Sequence, residues 1–279
     1  MSSSPPPAIA EADRVAQPTM RVHDAPAEML NKVPAITLVF WIIKVMSTTV
    51  GETGADFLAV HVGLGSAMTG AIMVALLITA LLLQLRSRRY VPWTYWLTVV
   101  LVSVVGTQIT DALTDGLGVS LYLSTVAFSF ALGAIFAIWY WRERTLSVHT
   151  IVTTRRELFY WAAILFTFAL GTAAGDLATE ALGLGFRVGV LVFGALIAVI
   201  AIANRFGLNS VLAFWLAYVL TRPLGASLGD LLSQAHTYGG FGMGTIKTSI
   251  VFLAVIIALV AWVTFRPHRE ERSPARQRD

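Results

Sequence analysis

Residues 96–118 read "WLTVVLVSVVGTQITDALTDGLG". Nearly unbroken apolar character leads from Trp96 to Gly106, and two aspartates follow, Asp111 and Asp115, four residues apart. The apolar run then resumes as "LYLSTVAFSFALGAIFAIWYW" from Leu121. The fold depends on whether such a stretch sits in water or in lipid. Of the 279 residues, 56% are hydrophobic and 13% charged, with a mean hydropathy of +0.72. A soluble domain averages about 25% charged residues. Apolar runs of roughly 20 residues recur along the chain, each long enough to cross a hydrocarbon core of about 30 Å. Most of them lack the polar face that a helix of a soluble bundle presents to water. The chain therefore reads as an all-α integral membrane protein.

Moving outward from Trp96, the same spacing returns. Trp41 is followed by Gly51 and Asp56, Trp96 by Gly106 and Asp111, Trp161 by Gly171 and Asp176, and Trp215 by Gly225 and Asp230. The pattern is W-x9-G-x4-D, four times. In three copies a further glycine stands seven residues past the aspartate (Gly63, Gly118, Gly183), where the fourth has Thr237. With 22 Gly and 8 Asp in the chain, a tryptophan meets both spacings by chance about 0.2% of the time, so this is an internal repeat. Each unit holds two apolar segments. The expectation is eight transmembrane helices, in four tandem two-helix repeats of one orientation, over about 34–60, 66–85, 93–115, 117–141, 158–182, 185–204, 209–234 and 245–265. The repeats fall at about 34–90, 91–155, 156–208 and 209–265, forming one membrane domain over 32–265. Residues 1–31, rich in Pro, Ala and Ser and without the charged start and apolar core of a signal peptide, read as a disordered tail. Residues 266–279, with five arginines, read as a basic tail flanking the last span.

These tryptophans with their Gly and Asp followers resemble a bacterial family of multi-pass "membrane-anchored" proteins built from four two-helix repeats, grouped by a repeat of unknown function (DUF347). The resemblance covers roughly residues 33–265. It implies the architecture and carries no activity with it.

Loops between units are basic: Arg86, Arg88 and Arg89; Arg142, Arg144, Arg155 and Arg156; Arg205. Loops within units carry little positive charge, Arg187 and Lys247 excepted. The positive-inside rule places both termini in the cytoplasm of a bacterial inner membrane. Because every unit crosses twice, the first helix of each runs outward and equivalent residues share one depth. At 1.5 Å per residue each glycine lies about 15 Å and each aspartate about 22 Å beyond its tryptophan. The tryptophans then fit the inner interface, where indole rings favour head groups.

Each unit adds a polar partner one helical turn from its aspartate: Glu52 with Asp56, Asp115 with Asp111, Glu180 with Asp176, and Gln234 with Asp230. Such pairs share a helix face. Seven acids (Glu52, Asp56, Asp111, Asp115, Asp176, Glu180, Asp230) meet two deep bases, Lys44 and Arg222. A charge at the bilayer centre costs about 2.5–3.5 kcal/mol even on the lenient insertion scale. The acidic excess must be protonated, hydrated or met by a cation. Carboxylates with Thr53, Thr107, Thr110, Thr172 and Gln108 are hard oxygen donors, suited to Mg²⁺, Ca²⁺, Mn²⁺, Na⁺ or H⁺. Gly51, Gly106, Gly171 and Gly225 are expected to let the helix break and free carbonyls for an ion, as in many transporters, with Gly54 and Gly175 in the same stretches. His61 and His236 stand near the outer ends. Pro223 is expected to kink the seventh helix.

The functional expectation is a secondary transporter of a cation, a divalent metal or Na⁺/H⁺, working through a ring of carboxylates and using no cofactor beyond a bound cation. Its partners are the lipid bilayer and a cation or small solute, with no nucleic acid. There is no GxxxxGK[ST] loop for nucleotide-driven transport and no H-E-x-x-H or G-x-G-D motif for chemistry on a bound substrate. The alternatives are a non-catalytic membrane organiser or sensor and, further off, an aspartate-dependent intramembrane enzyme. The aspartates have a plainer reading too, as wetted groups at helix ends, and the glycines as packing contacts.

Overall fold

The computed structural model describes residues 31–265 apart from 62–65, and the side chains of 55–66 lie outside the description, Asp56 and His61 among them. The tails 1–30 and 266–279 also lie outside the described residues. Eight long helices follow one another: α1 Leu38–His61, α2 Ser66–Arg86, α3 Pro92–Asp111, α4 Leu121–Glu143, α5 Thr154–Asp176, α6 Gly185–Arg205, α7 Ser210–Ser233 and α8 Thr245–Phe265. No strand occurs among the described residues. Seven of the eight are long and apolar enough to cross a membrane. The eighth, α1, carries Lys44 and Glu52 and is not among the seven.

Local chemistry sets the helix starts and stops. Pro92 opens α3 at a position where its missing N–H costs nothing. Ser120, Thr153 and Asn209 cap α4, α5 and α7 by accepting hydrogen bonds from first-turn N–H groups. The glycine seven residues past the aspartate has its reason in the turns of the second and third units. Gly118 and Gly183 take φ values of 68° and 69°, in the left-handed region that suits a residue without Cβ. The fourth unit turns differently. Its loop doubles back, so that the N–H groups of Phe241, Gly242, Met243 and Gly244 donate to the carbonyls of Leu231, Gln234, Leu232 and Ser233. These are the carbonyls that the end of α7 leaves without a helical partner.

The helices form two rings. α1 packs on α3 and α7, and α5 packs on the same two, so the odd-numbered helices close into an inner square. The even-numbered helices lie outside. Each leaves its own hairpin partner and packs chiefly on the first helix of the next unit: α2 on α3, α4 on α5, α6 on α7, and α8 back on α1. The last unit thus closes on the first. Composition explains the division. α3, α5 and α7 bury half or more of their residues, while the outer helices bury less than a quarter. The outer helices expose large apolar side chains such as Leu76, Leu82, Phe130, Leu191, Val199 and Ile250. A surface of that kind matches hydrocarbon rather than water.

Candidate functional site

The inner square is built in layers, because equivalent residues of the four units share one depth. At one end lies an aromatic layer. The residue before each tryptophan is also aromatic: Phe40, Tyr95, Tyr160 and Phe214. Each of these rings meets the tryptophan of the following unit. The centroid distances are 5.5 Å for Phe40–Trp96 and Tyr95–Trp161, 6.2 Å for Tyr160–Trp215, and 5.6 Å for Phe214–Trp41, which closes the circle. The Tyr95 and Tyr160 hydroxyls share a hydrogen bond of 2.5 Å. Trp96, Trp161 and Trp215 are buried. Of the interfacial and packing roles open to these tryptophans, their burial bears out packing. The layer encloses the Trp96, Trp161 and Trp215 rings and leaves Trp41 half-buried, and its tilted ring pairs add stability beyond the area they bury.

Beside this layer Lys32 enters from the segment before α1. Its Nζ donates to Glu157 Oε2 at 2.6 Å and to the Leu85 carbonyl at 3.1 Å, and Gln84 Nε2 donates to Glu157 Oε1 at 3.2 Å. All three side chains are buried. This network ties the segment before α1 to α2 and α5.

Ten residues past each tryptophan come the repeat glycines, and here the expected helix break is absent: α1, α3, α5 and α7 run continuously through Gly51, Gly106, Gly171 and Gly225. The reason is a close crossing. A Cβ on Gly106 would stand 2.6 Å from Phe168 Cβ, and one on Gly225 would stand 2.6 Å from Thr48 Cβ. On Gly51 it would overlap Ser103, and on Gly171 it would overlap the Arg222 stem. Each glycine receives the residue that lies three before the glycine of the next unit, again in a closed circle. Small residues let helices approach in a membrane, where packing replaces the hydrophobic drive to associate. The departure from α-helix comes later, in two wide π-helical turns, Ala112–Gly116 and Leu177–Ala181, directly after Asp111 and Asp176. Pro223 sits inside α7, which continues past it.

Between the aromatic layer and the aspartates runs a polar axis. Lys44 and Arg222 are both wholly buried. Arg222 Nη2 donates to Glu52 Oε2 and to Thr107 Oγ1, each at 2.5 Å, joining the first, second and fourth units. Its Nε and Nη1 have no hydrogen-bond partner among the described residues. Lys44 Nζ has none either; it lies 4.0 Å from the centroid of Phe168 and 4.3 Å from that of Tyr218. Ring faces offer a desolvated ammonium about 2 kcal/mol each, against a burial cost of several kcal/mol. Of the hydroxyls expected as ligands, Thr107, Thr110 and Thr172 donate to carbonyls of their own helices four residues back, at 3.0, 3.4 and 3.0 Å. Thr110 also reaches the Ala169 carbonyl on the neighbouring helix, at 3.1 Å. Thr53 meets Ser249 of α8 at 2.7 Å.

The carboxylates lie beyond this level and differ in exposure. Glu52 and Asp230 are buried, Asp111 and Asp176 half-buried, and Asp115 and Glu180 exposed on the two π-helical turns. They gather across units. Asp176 lies within electrostatic reach of Glu52, Arg222, Glu180 and Asp111, and Glu180 within reach of Glu52 and Asp115. Gln108, on α3, and Gln234, the residue after α7, are half-buried. His236 is spent on its own turn, where Nδ1 meets the Gly240 carbonyl at 3.0 Å. Among the described residues no three acids or histidines stand close enough together to hold one metal ion.

Two features escaped the sequence reading, and only the first left a signal in it. The aromatic before every tryptophan repeats in all four copies. The residue three before each glycine (Thr48, Ser103, Phe168, Arg222) is the surface onto which the preceding unit closes.

A ring of four like-oriented hairpins, apolar outside and polar along its axis, defines a multi-helix protein of the membrane type. Four copies of a family repeat, the Repeat of Unknown Function (DUF347), match residues 39–90, 94–145, 159–206 and 213–268, and the chain belongs to that family. No curated protein and no solved structure gives a match.

Proposed function

We propose that the chain spans the bacterial inner membrane eight times, with both termini and the aromatic layer on the cytoplasmic side, and that it is a secondary transporter of a cation. The observation that carries this reading is that acids of three units, Glu52, Asp111, Asp115, Asp176 and Glu180, lie within electrostatic reach of one another, with Glu52 held by Arg222 of the fourth. Neighbouring carboxylates in a low-dielectric setting repel, and a proton or metal cation relieves that repulsion. The site is widest in chemistry at the aspartate end, where Asp115 and Glu180 are exposed, and narrows to the Arg222–Glu52 pair. A cation arriving from that end meets two fixed positive groups. It passes only if Arg222 is exchanged from Glu52, which favours a carrier cycle over an open pore.

The test is purified full-length protein in liposomes, with pH-sensitive and metal-sensitive dyes, screened over H⁺, Na⁺, Mg²⁺, Mn²⁺ and Ca²⁺. Gradient-driven flux of one cation, lost in Asp176→Asn protein that still folds, is the expected result. Flat traces for every ion remove the reading.

A further inference from the structure

Three helix ends meet at the tryptophan end of the ring, and two carboxylates hold them there. Lys32 Nζ donates both to the Leu85 carbonyl, in the last turn of α2, and to Glu157, in the first turn of α5, and Gln84 of α2 donates to the same carboxylate. Glu143, at the end of α4, accepts from Arg156 Nε at 2.8 Å and lies 3.7 Å from Arg155 Nη1. Glu157 thus pins α2 to α5, and Glu143 pins α4 to α5. They are the only acids in the chain between Asp115 and Asp176. The arginines nearby are left to the surface. Arg86, Arg88 and Arg89, on and after α2, and Arg142 and Arg144, at the end of α4, are exposed and pair with no carboxylate among the described residues. Arg144 even takes the left-handed φ of 56° at the α4 cap, where glycine is the usual occupant. On each of the three helices an exposed apolar side chain shares a face with an exposed arginine and lies one turn deeper in the span: Leu82 with Arg86, Ile138 with Arg142, and Leu158 with Arg155. Trp141 is exposed as well, with the Arg142 guanidinium 4.8 Å from its ring centroid. Positive charge at the rim above an apolar face matches a phospholipid, whose phosphate sits above its acyl chains. A soluble anion would match the charge and leave the apolar face unused.

We propose that the ends of α2 and α4, with the first turn of α5, hold the head group of one anionic phospholipid that carries two phosphates, its acyl chains lying along the exposed apolar faces of these helices. The arginines fall into two groups joined through the first turn of α5. Arg86, Arg88 and Arg89 take one phosphate, and Arg142, Arg144 and Arg155 the other, since guanidinium groups bind phosphate oxygens through charge-assisted hydrogen bonds. The end of α6 shows what an ordinary basic flank looks like: a single arginine, Arg205, with Ile202 and Phe206 exposed beside it. The lipid site rests on the membrane-spanning part of the function proposed above and on neither cation transport nor sidedness. A chain that did not span a membrane would stay in solution without detergent, an outcome distinct from a flat lipid titration.

The experiment is thermal unfolding of the full chain, delipidated in a neutral detergent at constant ionic strength. It is titrated separately with diphosphatidylglycerol, with phosphatidylglycerol at equal phosphate, with zwitterionic phosphatidylethanolamine and with soluble pyrophosphate. A ligand held by the folded state raises its melting temperature. Saturable stabilisation by diphosphatidylglycerol is expected, with an apparent affinity at least about fivefold above that for phosphatidylglycerol. Replacing Arg88 and Arg89 together (Arg88→Gln, Arg89→Gln) should weaken it about 25-fold, about fivefold for each arginine. Arg205→Gln, on the ordinary flank, should change it less than about twofold. Arg144→Gly separates binding from folding. Glycine suits the left-handed backbone, so the lipid-free melting temperature should rise, while the lost charge weakens the lipid response about fivefold. The site is overturned by equal responses to the two anionic lipids, by pyrophosphate stabilising as well as the lipid, by no response to any lipid, or by a response that the Arg88/Arg89 variant and Arg144→Gly leave unchanged.

Discussion

The two ends of the inner ring obey the four-fold repeat to different degrees. At the tryptophan end every unit supplies the same chemistry, an aromatic residue followed by tryptophan, and the layer closes through four equivalent ring contacts. Three residues past the tryptophan the units part company: Lys44, Val99, Ile164 and Tyr218 share one level, and Thr48, Ser103, Phe168 and Arg222 the level one turn further on. Symmetry persists where the task is to hold helices together. It is lost at the two levels of Lys44 and Arg222, between the tryptophans and the glycines, and returns with the aspartate that every unit carries. The repeat thus builds a frame, and the departures from it place a single charged seam between the fourth unit and the first.

The ends can be broken separately. The largest effect is expected at the tryptophan end from Glu157→Gln, which leaves Lys32 buried beside a neutral amide. A loss of about 3–5 kcal/mol is expected in reversible unfolding in detergent or bicelles. A loss under about 1 kcal/mol would show the Lys32 network to be solvated. Next comes the crossing layer. Gly225→Ala forces Thr48 and the two helices apart, and a loss of about 1–3 kcal/mol is expected. Gly118→Ala, in a turn with open space around it, isolates the backbone term at φ 68° and should cost about 1 kcal/mol. Tyr95→Phe removes one hydroxyl of the Tyr95–Tyr160 pair and should cost about 1 kcal/mol without altering flux. The smallest stability effect belongs to Asp115→Asn, which is exposed and should stay within about 0.5 kcal/mol. If the cation reading holds, this change nonetheless lowers uptake in liposomes. An Asp115→Asn protein with wild-type uptake would confine the working carboxylates to the buried level.

Much of this was legible in the sequence. Eight helices, their order and the four-unit period follow from apolar run lengths and from tryptophan, glycine and aspartate at fixed offsets. The glycine past the aspartate announced a turn, and Gly118 and Gly183 adopt it. Gly51, Gly106, Gly171 and Gly225 were open to two readings, a helix break or a packing contact, and the close crossings bear out the second. A glycine in a membrane helix permits both a break and a close crossing, and which occurs depends on the neighbour, here Ser103, Phe168, Arg222 or Thr48. The tryptophan positions were readable but not their environment, because an indole at helix-end depth suits head groups and a packed aromatic layer alike. That Arg222 would meet Glu52 depended on ring closure, and no spacing along the chain encodes which helix the last hairpin packs against.

The closure of the fourth unit on the first, with Arg222 laid on Glu52, is the claim on which the rest depends. A double-mutant cycle tests it most directly: unfolding free energies of the wild type, Glu52→Gln, Arg222→Met and the double variant. Each single change leaves an uncompensated buried group and should cost about 3–5 kcal/mol, and the double variant should recover much of that, for a coupling of at least about 2 kcal/mol. Single costs that simply add, to within about 0.5 kcal/mol, would mean that the two side chains do not meet and that the ring is not closed as described.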